Sequence, residues 1–207
     1  MSMINQEHIV LTGCWILYGV FHSVLAAPWF KKAVERLVGA CNFRYYRLWY
    51  NCFAALTLIA LLVYQFSVPS TRLFYTAWPV LALSILLCIG GLVIMASCIR
   101  KYFANLSGLD VLKDKQQTPV LEQDGLHAYV RHPLFSGTLL FVWSLFFIFP
   151  LFSNLIACVI LTVYTLIGVV FEERKLVDEF GESYKTYSQT TPGLVPFLRK
   201  FNRIKTT

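Results

Sequence analysis

The chain has 207 residues, 57% hydrophobic and 14% charged, and a mean hydropathy of +0.60, which excludes an ordinary soluble domain. A net charge of +7 raises nucleic acid as a partner, but the basic residues flank apolar spans instead of forming one patch. Attraction to anionic lipid accounts for them, and no nucleic-acid partner is expected. The six cysteines make no C-x-x-C pair and show no zinc spacing, so neither a disulfide framework nor a metal site is expected.

The first apolar span runs from about His8 to Ala27 and contains Phe21-His22-Ser23. An ionisable residue inside a span is a candidate substrate contact; a neutral His22 bonded to a neighbouring helix is the alternative. A basic loop is expected next, with Lys31, Lys32, Arg36, Arg44 and Arg47 against Glu35. The second span covers about Leu48 to Val68. A third covers Ala77 to Ile99, with Gly90-Gly91 permitting close helix packing. The longest polar segment, 100–132, then precedes a short fourth span, Pro133 to Phe149. Pro150 marks a reversal into the fifth span, Phe152 to Phe171, so these two should form a helical hairpin. The expected fold is all-α and polytopic, a single membrane domain over 1–207 with about five transmembrane helices. Residues 1–7 carry no Lys or Arg, and Pro28 follows Ala27, so no cleaved signal peptide is expected.

Seventeen of the 18 Lys and Arg fall between spans one and two, between three and four, or after span five. Only Arg72 lies on the other side. The positive-inside rule therefore places the N-terminus outside and the C-terminus in the cytosol.

Two features share that cytosolic side. In Arg131-His132-Pro133-Leu134-Phe135-Ser136-Gly137, proline starts a helix and leaves the N–H groups of Leu134, Phe135 and Ser136 without intrahelical partners, suited to a carboxylate. Gly137 would admit a close approach to the backbone. The fifth helix should continue past the membrane to Phe180 and end at Gly181. Arg174, Lys175, Asp178 and Glu179 share its polar face; Glu173 falls within the apolar face of Leu176, Val177 and Phe180, with Glu172 at its margin. Tyr184, Tyr187 and Phe197 then suit a tail lying at the interface. A ligand bearing a carboxylate, an ammonium and a further positive charge would match this pair of features, and S-adenosylmethionine has that pattern.

The order Gly125-x5-Arg131-His132-Pro133-x-Phe135-x-Gly137, an apolar hairpin, then Glu172-Glu173-x2-Leu176-x3-Phe180-Gly181-x2-Tyr184-x2-Tyr187 resembles the isoprenylcysteine carboxyl methyltransferase-like superfamily over about 111–197. Phe21-His22-Ser23 and Tyr46-Arg47-x2-Tyr50-Asn51 look like its bacterial branches, the methanethiol S-methyltransferases and the NnrU-type proteins of denitrification clusters. The resemblance implies N-terminal helices over 1–99, a cofactor-binding half over 100–207, and S-adenosylmethionine held at the cytosolic face. It assigns cofactor contacts to Pro119, Val120, Leu121, Glu122, His132, Pro133, Leu134, Phe135 and Glu172; position adds Gly137 and Glu173. A cofactor-contacting tyrosine of the isoprenylcysteine enzymes becomes His127, and their substrate arginine falls on Gly168, which offers space in place of charge.

The expected chemistry is transfer of a methyl group to a small thiol such as methanethiol or to an amphiphilic, lipid-like acceptor. His127, then His132, are the candidate bases that would turn a thiol into its nucleophilic thiolate. Arg131 and His22 are the candidate substrate contacts. Alternatives are a non-catalytic NnrU-type accessory protein, a prenylcysteine or phospholipid methyltransferase, and a reductase using NADPH.

Overall fold

A computed structural model describes residues 5–107 and 120–196. Helix α1 (Gln6–Ala26) begins at Asn5, whose side chain accepts the His8 N–H while the His8 ring accepts the Asn5 N–H, so two orphan donors are satisfied. The stretch expected as a basic loop is instead helix α2 (Pro28–Phe43), broken at Gly39, whose φ of +77° only glycine adopts without strain. Pro28 presets the first turn. Phe30, Val34 and Leu37 recur at helical spacing opposite Lys31, Lys32, Glu35 and Arg36, which makes an amphipathic interfacial helix of what composition alone presents as a charged connection.

Helices α3 (Tyr46–Ser67), α4 (Trp78–Ser107), α5 (Pro133–Ile148) and α6 (Phe152–Phe180) follow, then a short α7 (Glu182–Thr190). Helix α4 continues two turns past the expected end at Ile99, into the polar segment. Four helices, α1, α3, α4 as far as Arg100, and α6, are long and apolar enough to cross a bilayer; α5 is a shorter apolar helix. The protein is an all-α, polytopic membrane protein. Among the described residues the only strand-like pairing is an isolated bridge between Arg72 and Leu151.

Leu11, Trp15, Leu61 and Ala157 pack α1, α3 and α6 together. Beside them Trp15 Nε1 donates to Gln65 Oε1 (2.8 Å) and Gln65 Nε2 to Asn154 Oδ1 (2.9 Å), tying three spans with hydrogen bonds that lipid cannot replace. The expected α5–α6 hairpin is present, and Trp143 Nε1 donates across it to Thr162 Oγ1 (3.0 Å). Helices α4 and α5 approach most closely at Gly91 and Gly137. A Cβ at Gly91 would stand 2.8 Å from the Phe141 nitrogen, and one at Gly137 would stand 2.9 Å from Ile94 Cγ2. At one end of the bundle Ser70 accepts the Ser153 N–H (2.8 Å) and lies beside His8, and Leu73 N–H donates to the Pro150 carbonyl. The candidate site occupies the opposite end, where α1 and α6 finish and α3 and α5 begin.

Candidate active site at the start of α5

Helix α5 begins as proline dictates. His132 is the non-helical N-cap residue, Pro133 is the first helical position, and no side chain caps the helix. The Ser136 N–H, expected to be free, returns to the His132 carbonyl at 3.0 Å, so among the described residues the uncapped donors are those of Leu134 and Phe135. Gly137 is buried against Gly91, Ile94 and Met95 of α4, so its missing side chain admits a helix, and the expected ligand contact there is not supported.

Glu173 lies on the inward face of α6, as its place among Leu176, Val177 and Phe180 requires, with a side chain 26% exposed against 46% for Glu172. Its Oε1 accepts from Arg131 Nε (2.8 Å), Arg131 Nη2 (2.7 Å) and His132 Nε2 (2.8 Å). Glu172 Oε2 lies 3.2 Å from His132 Nδ1. Both ring nitrogens of His132 therefore face carboxylates, which only accept, and the ring must carry two protons to satisfy them. Burial alone would lower the His132 pKa; hydrogen bonds to and charges on Glu172 and Glu173 outweigh it and raise the pKa above its ordinary 6.5. An imidazolium clamped on both sides has no lone pair with which to take a proton, so His132 does not suit the role of base.

The Arg131 side chain, 8% exposed, is fully committed inside the protein: besides Glu173, its Nη1 donates to the Ser188 and Thr191 carbonyls. Its own N–H and that of His132 donate to the Pro192 (2.9 Å) and Gly193 (3.0 Å) carbonyls. Arg131 is thus a clamp, and the substrate contact expected of it is not supported by this geometry. Nor does the tail lie loose at the interface: α7 buries Tyr184 and Tyr187, and the Tyr187 hydroxyl donates to the His127 carbonyl. Tyr184 is 1% exposed and close enough to Glu173 and Arg131 to feel their charges. Yet its hydroxyl completes no hydrogen bond among the described residues. Burial first, then the Glu173 charge, pushes that phenol above its usual range.

His127 sits in a short 3-10 turn, Gly125–Ala128, with Nδ1 3.1 Å from the Arg131 carbonyl. A carbonyl only accepts, so Nδ1 carries a proton. Leu121 and Glu122 are half-buried and Val120 is 74% exposed; Pro119 lies outside the described residues. Phe135 tilts over His132 (6.0 Å between ring centres) and lies against Gly168, where a Cβ would stand 3.8 Å from its ring. His22 is not in this cluster. It is hydrogen-bonded to the Tyr50 hydroxyl (2.9 Å), stacked on Tyr18, and lines a groove between α1 and α3. Sequence reasoning missed the strap formed by α7 and Pro192–Gly193; Tyr184 and Tyr187, three apart, carried its signal as one face of a helix.

A family model described as "protein of unknown function (DUF1295)" matches residues 23–191. Methanethiol S-methyltransferase 2 of Bradyrhizobium diazoefficiens is 31% identical over 199 residues, covering 88% of this chain and 70% of the relative. The methanethiol S-methyltransferase of Crocosphaera subtropica is 26% identical, covering 89% of this chain and 74% of its own. The protein-S-isoprenylcysteine O-methyltransferase of Schizosaccharomyces pombe is 31% identical over 91 residues, 42% of this chain and 38% of the relative. No solved structure matches. With an all-α membrane fold, an His-Pro helix start joined to paired acids, and these relatives, the chain belongs to the DUF1295 family, within the isoprenylcysteine carboxyl methyltransferase-like superfamily.

Proposed function

We propose that this chain is a membrane methyltransferase that takes its methyl group from S-adenosylmethionine and passes it to a sulfur nucleophile. The observation that carries this reading is the contact between His132 and the two acids of α6, which brings an uncapped helix start and a half-exposed carboxylate into one site. The residues suit the donor. The free N–H groups of Leu134 and Phe135 and the positive end of the α5 dipole would receive its carboxylate. Three donors from Arg131 and His132 already converge on Oε1 of the less exposed Glu173, whereas Glu172, more exposed and approached by His132 alone, would receive the ammonium. When bound, the donor supplies a methyl group on a sulfonium sulfur.

The chain's own part is to bind, to orient and to exclude water. Arg131 and His132 hold Glu173 and the α7 strap in place. His127, held by its Nδ1 against the Arg131 carbonyl at the edge of the site, is the candidate group to accept the thiol proton. The relatives named for methanethiol support a sulfur acceptor. Gly168, where the isoprenylcysteine enzymes carry a substrate arginine, argues against an acceptor carboxylate at that position. The site is expected to face the cytosol.

Calorimetry on detergent-purified protein tests this. S-adenosylmethionine should bind, and Glu172→Gln should weaken binding about tenfold, as loss of one charge-assisted contact implies. Purified protein should also release dimethyl sulfide from methanethiol. Failure of the folded protein to bind S-adenosylmethionine, or binding of NADPH in its place, would reject the reading.

A further inference from the structure

A groove of about 360 Å³ lies between α1 and α3, apart from the acid cluster. Its walls are side chains such as Leu17, Phe21, Phe53 and Ala54, and Leu17, Phe21 and Phe53 are each at least half exposed on the lipid-facing side. Among the described residues no Lys, Arg, Asp or Glu lines it. Its polar pole is His22 bonded to Tyr50, near the end of α1 and the start of α3, at the same end of the bundle as Glu172. Tyr164 of α6 meets that pole, its hydroxyl 3.1 Å from Ser23 Oγ and its ring edge-on to His22 (6.3 Å). Tyr164, Gly168 and Glu172 stand four residues apart, on one stripe of α6, so the groove's pole and the acid site are separated by about 12 Å of helix. Midway along that stripe stands Gly168, where a Cβ would lie 3.8 Å from the Phe135 ring.

Resting on the methyltransferase reading above, we propose that the α1–α3 groove holds the methyl acceptor, and that this acceptor is an uncharged lipophilic thiol with a body of several carbons. Three observations select that class. A site of this volume is the size that encloses a drug-sized ligand, far more than the two heavy atoms of methanethiol would fill. A wall without charge offers nothing to a carboxylate, phosphate or ammonium, whose burial there would go uncompensated. The His22–Tyr50 pair gives an S–H group a hydrogen-bonding partner at the end nearest the acids, and the exposed lipid side lets an apolar body enter from the bilayer. In the transfer the acceptor would give its S–H proton to His127, its sulfur would form the new S–CH3 bond as the sulfonium–CH3 bond breaks, and the demethylated donor would leave as a neutral thioether.

The test is equilibrium dialysis of the full chain in lipid nanodiscs against 1-octanethiol, methanethiol and 8-mercaptooctanoate, with empty nanodiscs subtracted. Saturable retention of 1-octanethiol, at least about tenfold tighter than of either other probe, is expected. Filling the groove with Ala54→Phe, or with Thr57→Leu at a lining position one turn further along α3, should abolish that retention while S-adenosylmethionine binding, measured by calorimetry on the same samples, persists. His22→Phe, which keeps the shape and removes the polar pole, should weaken retention about fivefold. Retention no greater than in empty nanodiscs, retention equal in the filled variants, or equal retention of 8-mercaptooctanoate overturns the proposal; intact S-adenosylmethionine binding then leaves the methyltransferase reading standing. If S-adenosylmethionine does not bind, the groove's role as an acceptor site is overturned together with that reading.

Discussion

At the scale of single residues, the site is a charge cluster in which each member has a distinct task. Arg131 and Glu173 form an ion pair with several further hydrogen bonds, and removing one member strands the other among buried neighbours. Arg131→Ala should therefore destabilise the protein by about 3 kcal/mol, read as a shift of the denaturation midpoint. Glu173→Gln should also lower stability, whereas Glu172→Gln, which removes the more exposed partner of His132, should lower the melting temperature less and act mainly on donor binding. The pH dependence has a definite sign. His132 has a raised pKa in the folded protein, so its contribution to stability is complete below about 6.5 and is lost as pH rises through the raised value. A melting temperature that falls as pH rises above about 6.5 in the natural sequence, and falls less in Glu173→Gln, is the expected result. Glu173's inward orientation was legible in the sequence because three apolar neighbours fixed the face. Its partner was not, since Arg131 lies 42 positions away and no local periodicity relates the two.

At the scale of elements, α4 and α5 meet backbone to backbone through Gly91 and Gly137. Any Cβ at Gly91 would press on the Phe141 nitrogen (2.8 Å) and the Gly137 carbonyl oxygen (2.9 Å), neither of which can swing aside as a side-chain tip can. Gly91→Val should cost about 1–3 kcal/mol as overpacking and push α5 outward, lowering both thermal stability and S-adenosylmethionine affinity. Gly90→Ala, with open space beside it, is the control expected to do neither. The spans, the hairpin at Pro150 and the extension of α6 could all be read from hydropathy and helical spacing. The helicity of α2 could not be read from charge count, because a basic connection and a basic amphipathic helix share a composition and differ only in spacing. Gly137 illustrates the same limit: sequence shows that a side chain is missing, and only the fold shows that α4 fills the space.

At the scale of the whole molecule, the crowding of 17 of 18 basic residues toward one side sets an expected orientation. A reporter fused at the C-terminus should be active only in the cytosol and one at the N-terminus only outside; the reverse pattern would turn the site to the other face. At the site's end three elements come within electrostatic reach of one another: burial, then the charges of Arg47 in α3 and Lys175 in α6, hold Lys31 of α2 below its ordinary range. That meeting joins distant segments and was invisible in the sequence, although the side on which it occurs could be counted from it.

The backbone bonds from Arg131 and His132 to the carbonyls of Pro192 and Gly193 impose an order of events during synthesis. Membrane insertion can finish once α6 has left the ribosome, but the loop-to-helix junction at His132 gains its last partners some sixty residues after it is made. A chain stopped after Phe180 would thus be delivered to the bilayer with its spans in place and its chemistry unassembled.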